Sequence, residues 1–149
     1  NTARSVLDVF NDLYAMFGRE TYCRLFPVIL TDCGSEFSNP VPIEQDENDE
    51  LRSLVFYCNP SAPYQKGGIE VAHELVWRVL PKGKSFDDLQ QEDIDLMLSH
   101  INSYKRGNLN SRSAYQLFSF IYGDDILPKF NIREIEANDI VLSPKLLKK

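Results

Sequence analysis

Two acidic residues lie where a strand end and a helix start would each present a carboxylate. Asp32 follows the apolar run 28–31, which predicts a short strand that ends just before the acid. Glu70 follows a turn-forming stretch, 60–68, and begins a pattern typical of an amphipathic helix. Mg²⁺ prefers oxygen ligands and is held by one or two carboxylates together with substrate phosphates. The pair is therefore a candidate site for Mg²⁺ or Mn²⁺, and the chemistry of such sites is phosphodiester cleavage and transfer.

Both acids also have ordinary structural explanations. Aspartate is frequent in turns, and the helix macrodipole favours glutamate in a first turn. Carboxylate pairs at this spacing are common. On spacing alone the structural explanation is therefore the more frequent one, and the flanking residues must decide.

The elements that would position these acids follow from hydrophobic periodicity and from glycine and proline positions. The order strand, helix, strand, helix, helix predicts an α/β fold. The two strands are expected to be adjacent and parallel, joined by a crossover and buried on both faces. One short helical turn is expected within 38–49, the stretch after 122 is expected to be extended or irregular, and 145–149 frayed. The predicted helix 68–79 buries Ile69, Ala72, Val76 and Val79. The predicted helices are 2–17, 68–79, 91–104 and 113–122, and the predicted strands are 27–31 and 54–57.

Composition narrows the class of protein. A chain of 149 residues with 43% hydrophobic residues is typical of one globular domain. Its net charge of −6 argues against a free-standing DNA binder, because such proteins show a basic surface. No apolar run reaches membrane-spanning length, and the polar N-terminus does not fit a signal peptide. Three cysteines, Cys23, Cys33 and Cys58, fit reduced thiols in a cytosolic protein.

Longer motifs surround both acids. Thr31, Asp32, Gly34, Glu36 and Phe37 follow the pattern T-D-x-G-x-E-F. A second motif runs through Pro60, Gln65, Lys66, Gly67, Glu70, Pro81, Lys82 and Gly83. With these motifs the chain resembles DDE transposases and integrases, and more narrowly the simple bacterial insertion-sequence transposases of the IS-thirty type. The stretches 101–118 and 140–149 resemble further segments of that family, so the resemblance covers most of residues 28 to 149.

The resemblance implies a fold, an activity and partners. The fold would be ribonuclease-H-like, a mixed five-stranded sheet with helices on both faces, here lacking its first strands and carrying a helical C-terminal extension. Asp32 and Glu70 would be catalytic residues and Mg²⁺ or Mn²⁺ ligands in DNA cleavage and strand transfer, the reaction of transposition and DNA integration. Lys66, Arg78 and Lys82 are the candidate DNA contacts. The partners would be transposon ends and target DNA, bound mainly through parts outside this chain, and a second copy of the chain, in the bacterial cytoplasm.

The family's first catalytic aspartate should lie on a strand that precedes the helix at 2–17. The upstream aspartates, Asp8 and Asp12, lie on that helix instead. The chain is therefore interpreted as the C-terminal part of a catalytic core, 1–122, followed by a tail, 123–149, and is expected to be inactive in isolation.

Three departures from the family pattern leave alternatives open. Cys33 stands where the family usually has asparagine, Val71 and Ala72 follow the glutamate where a polar residue is usual, and Trp77 lies near a usual basic position. Cys33 adjoins a candidate metal ligand, and the other changes remove polar or basic groups from a helix expected to face DNA. Together with the acidic balance and the missing first aspartate, they favour the alternative, a non-catalytic remnant acting as an interaction module. A third hypothesis is a metal-dependent nuclease of the same fold acting on RNA.

Two further residues have two interpretations each. Glu36 is either an acid supporting the metal site or a solvated turn residue. His73 lies one turn after Glu70, close enough to approach a metal, but a helical histidine is more often an ordinary surface or core residue.

Overall fold

The computed structural model describes residues 2–60, 62–83 and 85–147. The chain divides into two compact units, the first ending at Gly67 and the second beginning at Gly68. The elements of the first unit are α1 (Ala3–Leu25), β1 (Val28–Thr31), α2 (Val41–Glu44) and β2 (Leu54–Tyr57). Those that follow are α3 (Gly67–Val79), α4 (Gln91–Ser103), β3 (Lys105–Arg106), β4 (Arg112–Ser113) and α5 (Ala114–Tyr122). The mixed α/β class expected from the sequence is confirmed.

Helix α1 begins with a capping box and is interrupted by a glycine. The Thr2 hydroxyl accepts a hydrogen bond from the Ser5 backbone at 3.2 Å, which satisfies an otherwise free N–H of the first turn. At Gly18 the backbone takes φ 71° and ψ 164°, a conformation open almost only to glycine. The interruption lies directly after the end of the helix predicted at 2–17. The helix resumes afterwards and runs to Leu25, which the sequence did not indicate.

Strands β1 and β2 form a parallel pair, as predicted. Val28 pairs with Leu54 and Thr31 with Tyr57. The Cys58 backbone N–H donates to the Thr31 carbonyl at 2.7 Å, so the pairing continues to the last residue of β1. The crossover between the strands contains the short helix α2, at the place where one helical turn was expected.

The prediction that these strands are buried on both faces is wrong for one face of the sheet. Val28, Leu30, Leu54 and Phe56 are between 43% and 53% exposed. They share a face because alternate residues of a strand point the same way and the register sets 28 beside 54 and 30 beside 56. Apolar residues suited to a two-sided core therefore remain uncovered on this face.

A buried arginine positions β2 against α1 and α2. The Arg52 guanidinium donates to the Asn11 side chain at 2.8 Å and to the carbonyls of Pro42 and Ile43 at 2.9 and 3.0 Å. It also lies over the rings of Tyr14 and Tyr22, 5.1 and 5.6 Å from their centroids. A buried charge with these partners is satisfied, so Arg52 fixes the approach of the chain to β2.

The second unit is organised around an apolar cluster. Its buried members are Leu75, Val79, Leu80, Met97 and Ile101. Helices α3, α4 and α5 match the predicted helices to within one residue at each end.

Two details of the second unit differ from expectation. Ile69 is 45% exposed rather than buried, because the stripe of α3 that meets the core centres on Leu75 and Val79. Leu146 and Leu147 pack against the cluster, so the expected fraying of the C-terminal end is wrong for these two residues. Of the other residues in that expectation, Lys148 and Lys149 lie outside the described residues.

A short antiparallel hairpin follows α4 and was not predicted. Lys105 pairs with Ser113 and Arg106 with Arg112. Asn110 and Ser111 close the turn with φ values of 53° and 60°, a region that asparagine enters more readily than most residues. Ser113 then caps α5 by accepting the Gln116 backbone N–H at 3.1 Å. Within the part of the chain that the structure describes, no helix has both the length and the apolar character that a membrane span requires.

Candidate functional site

Asp32 lies directly after the last paired residue of β1, as predicted. Its side chain is 70% exposed, so its oxygens are accessible to a ligand. The next residue, Cys33, carries a free thiol that contacts the Cys58 carbonyl with its Sγ at 3.9 Å. The β1–β2 pairing on one side of Asp32 and this contact on the other position the backbone that carries the carboxylate.

Lys66 is the cation that the first unit brings to Asp32. Its Nζ lies 3.5 Å from Asp32 Oδ2, and its side chain is 22% exposed. Lys66 ends a 3₁₀ turn, 63–66, that is joined to the end of β2 by the Gln65 side chain, which accepts the Asn59 N–H at 2.8 Å. Of the three candidate DNA contacts, Lys66 is therefore the one placed beside a candidate catalytic acid.

Glu36 folds back over the backbone of the same loop. A Cβ on Gly34 would lie 2.6 Å from Glu36 Oε2, so the glycine makes room for this carboxylate. Glu36 is half-buried, which differs from a freely solvated turn residue. Its place is three residues beyond Cys33 in the loop that carries Asp32.

Glu70 lies in the first turn of α3 and is exposed. The positive end of the helix macrodipole favours a carboxylate there. Asp32 belongs to the first unit and Glu70 to the second, and the approach of their carboxylates to a shared metal stays a prediction.

An aromatic and cationic arrangement occupies the exposed side of α3. Trp77 lies close to the ring of His73, with centroids 5.9 Å apart and planes at 35°. Lys82 Nζ lies 3.7 Å from the centroid of the same indole. The candidate DNA contact Lys82 is thus held by Trp77, one of the residues at which the chain departs from the family pattern.

Arg78, the third candidate DNA contact, lines a cleft of about 370 Å³ in the second unit. Tyr104 and Lys105 line the same cleft, which brings a second cation and a phenol to Arg78. Sequence reasoning did not single out these two residues: Tyr104 follows α4 directly, and Lys105 begins the short hairpin, which gave no periodic signal.

The donors available to a metal are carboxylates, which suit a hard cation such as Mg²⁺. Within either unit, the described residues bring together no group of three or more His, Cys, Asp or Glu side chains that could hold a metal ion. The candidate ligands Asp32 and Glu70 lie in different units, so neither unit by itself provides a complete set of metal ligands among its described residues.

Comparison with known proteins places these motifs in context. The chain is 32% identical over 76 residues to the transposase for insertion sequence element IS1086 of Cupriavidus metallidurans, covering 50% of this chain and 22% of that protein. It is 29% identical over 118 residues to a protein designated an integrase, ORF3, of a Spiroplasma virus, covering 79% and 34%. It is 26% identical over 97 residues to the transposase for insertion sequence element IS4351 of Bacteroides fragilis, covering 65% and 28%.

The matched stretches span about a fifth to a third of the length of these relatives. No family model matches the chain, and no solved structure matches it. The relationship therefore depends on sequence similarity to proteins named as transposases or integrases, which agrees with the motifs around Asp32 and Glu70. These similarities support a relationship to the transposases of insertion sequences and to a viral protein designated an integrase.

Proposed function

We propose that this chain is part of the catalytic core of a DNA transposase or integrase with a ribonuclease-H-like fold, which cuts and joins DNA by Mg²⁺-dependent phosphoryl transfer. Asp32 and Glu70 are two of the metal ligands, and a third carboxylate comes from sequence outside this chain. The metal supplies charge stabilisation at the reacting phosphate and activation of water or of a 3′-hydroxyl.

One observation carries the proposal: the T-D-x-G-x-E-F motif sets an exposed aspartate directly after a strand held in a parallel pair. Parallel pairs occur almost only in α/β folds, where functional residues collect at the carboxyl ends of the strands. The relationship to transposases and integrases supports the same chemistry, and Glu70 in the first turn of α3 supplies a second exposed carboxylate.

The residues around the acids have distinct roles in this proposal. Lys66 neutralises Asp32 in the absence of metal and turns to a DNA phosphate when metal occupies the carboxylate. Arg78, on α3, and Lys82, after it, contact the DNA backbone. With a net charge of −6, the chain contributes local phosphate contacts, and recognition of the element ends falls to other parts of the protein.

The test uses a protein in which this chain is joined to its upstream reading frame. The protein is incubated with Mg²⁺ or Mn²⁺ and end-labelled duplex DNA that carries the element ends. We expect metal-dependent nicking and strand transfer, and a loss of at least about 100-fold in Asp32→Asn and Glu70→Gln, since even the partners of metal ligands cost 10- to 100-fold when removed.

Glu74→Gln is the matched control, because Glu74 is exposed on the same helix one turn after Glu70, and it should retain activity. The chain alone should not perform strand transfer. Cleavage by the chain alone that disappears in Glu70→Gln would show that no third carboxylate is needed. Metal-independent binding without cleavage by the longer protein would favour the non-catalytic interaction module instead.

A further inference from the structure

Trp77 is the one tryptophan in the sequence, and it is exposed. Its side chain is 43% accessible on α3, although tryptophan is mostly buried in folded proteins. Glu70, His73 and Trp77 are spaced by three and four residues, so they follow one side of the helix. The exposed indole therefore lies on the side of α3 that carries the candidate catalytic glutamate.

The indole already binds a cation on its ring. Lys82 Nζ is 3.7 Å from the ring centroid, and the tilted His73 ring is 5.9 Å away. A flat π surface with an ammonium group within reach has both components that a nucleotide needs, a ring for the base and a charge for the phosphate.

The typical free energies of the two contacts favour replacement of the Lys82 ammonium on the indole by a base. A cation over an exposed aromatic ring contributes about a twofold to fivefold factor to an equilibrium constant. Stacking of one base on an aromatic side chain contributes about fivefold to 150-fold. The displaced ammonium also gains a phosphate partner, so the new contacts are stronger than the cation–π contact that is lost.

The charge around the C-terminal half of α3 favours an anionic partner. Arg78 follows Trp77 directly, and it lines the cleft of about 370 Å³ with Lys105 and Tyr104. Lys82 adds a cation on the indole of Trp77 itself. Glu70 and Glu74 lie on the same helix, seven and three residues before Trp77, and their negative charge opposes part of this attraction.

We propose that Trp77 is a stacking platform for an unpaired base of single-stranded DNA, with Lys82 moving from the indole to the adjacent phosphate. The inference rests on the proposed function, in which DNA strands are opened and cut beside Glu70. A base that is already unpaired binds most readily, because no stacking or pairing energy must be spent to extract it.

Tryptophan fluorescence tests this directly, because all indole emission comes from Trp77. The chain is titrated with oligothymidylate in the absence of metal. We expect saturable quenching by the single strand, weaker quenching by a duplex of the same length, and weaker binding as salt is raised.

Variants separate the ring from the charge, with binding followed by anisotropy of a dye-labelled oligothymidylate. Trp77→Leu should weaken binding about fivefold or more, with its thermal melting compared to confirm folding. The control Phe120→Leu removes an 82% exposed aromatic residue from α5 and should change affinity less than twofold. Lys82→Gln should retain quenching and lower the slope of log affinity against log salt by about one.

Absence of saturable quenching, or equal losses in Trp77→Leu and Phe120→Leu, would overturn the proposal. Emission that changes with protein concentration alone, without DNA, would assign the ring to a protein contact and also overturn it. The readout needs no metal, so failed cleavage with intact quenching rejects the catalytic function alone, whereas cleavage without quenching rejects only the stacking site.

Discussion

At the scale of single residues, Asp32 faces a competition between two cations. The Lys66 ammonium lies 3.5 Å from its carboxylate and pairs with the oxygen atoms that a divalent ion would bind. An exposed pair of this kind contributes about 0–1 kcal/mol to the free energy of unfolding. Because that energy is small, a divalent cation with further ligands can displace Lys66.

Replacing Lys66 should therefore tighten metal binding at Asp32. We predict that Lys66→Gln increases the paramagnetic broadening of amide resonances near Asp32 by Mn²⁺, since the competing charge is gone, and changes the free energy of unfolding by less than about 1 kcal/mol. Nuclear magnetic resonance titration of the chain with Mn²⁺ measures both the site and the affinity. Lys82→Gln is the matched control, because Lys82 contacts an indole rather than a carboxylate. Equal broadening in the wild type and Lys66→Gln would contradict the prediction.

The sequence predicted the positions of these residues better than their partners. Asp32 was expected directly after a strand, and the apolar run and its abrupt polar end were sufficient for that. The contact of Lys66 with Asp32 joins residues separated by two elements, and the stacking of Lys82 on Trp77 depends on the turn after α3. Periodicity reports which side of an element is apolar and does not report such side-chain pairs.

At the scale of elements, the long periodic segments were predictable, and the short or irregular ones were not. The strands β1 and β2 and the helices α3, α4 and α5 each have the apolar spacing of their type. The hairpin of β3 and β4 has two residues per strand, too few to show a period. The part of α1 after Gly18 was missed because the glycine was interpreted as an end, whereas the backbone turns there and continues as helix.

A buried histidine connects α4 to the C-terminal segment and gives the second unit a pH dependence. His100 Nδ1 accepts the Val141 backbone N–H at 3.1 Å, which requires the neutral ring. Burial lowers the pKa of His100 below its ordinary value of 6.5, Arg133 lowers the pKa further, and Asp139 opposes these effects. The unfolded chain therefore binds the proton more readily than the folded one.

We predict that the free energy of unfolding falls as the pH is lowered from 7.5 through 6.5 to 5.5, because the stability from neutral His100 is complete above 6.5 and is lost below it. Urea denaturation at the three pH values measures this. His100→Asn should flatten the dependence. The other histidine, His73, is exposed, and His73→Gln is the control that should keep the wild-type pH dependence of the free energy of unfolding. If His100→Asn keeps the same pH dependence, His100 is not its cause.

At the scale of the whole molecule, the open face of the β1–β2 sheet is an apolar surface that stays exposed. Val28, Leu30, Leu54 and Phe56 form an apolar patch on a pair of strands with edges, and both features promote association. The excess of acidic residues favours ordered pairing over precipitation only to a small extent.

We predict that the isolated chain associates with a second copy as its concentration rises, because pairing covers this face. Sedimentation velocity over a concentration series measures the association. The double variant Leu30→Thr, Phe56→Thr keeps strand-forming residues and should shift the series toward monomer. Phe86→Thr alters an exposed aromatic residue elsewhere and should not. A wild-type chain that stays monomeric at high concentration would refute the prediction.

The parallel pairing of β1 with β2 also has a consequence for the order in which the chain folds. Pairing of the two strands closes the stretch from Asp32 to Ser53, which contains α2. The β3–β4 hairpin needs only the short turn at 107–111. Loop closure costs entropy before any pairing compensates for it, so sheets with distant partners form slowly. The strand that presents Asp32 should therefore acquire its neighbour late, after local structure in the second unit has formed.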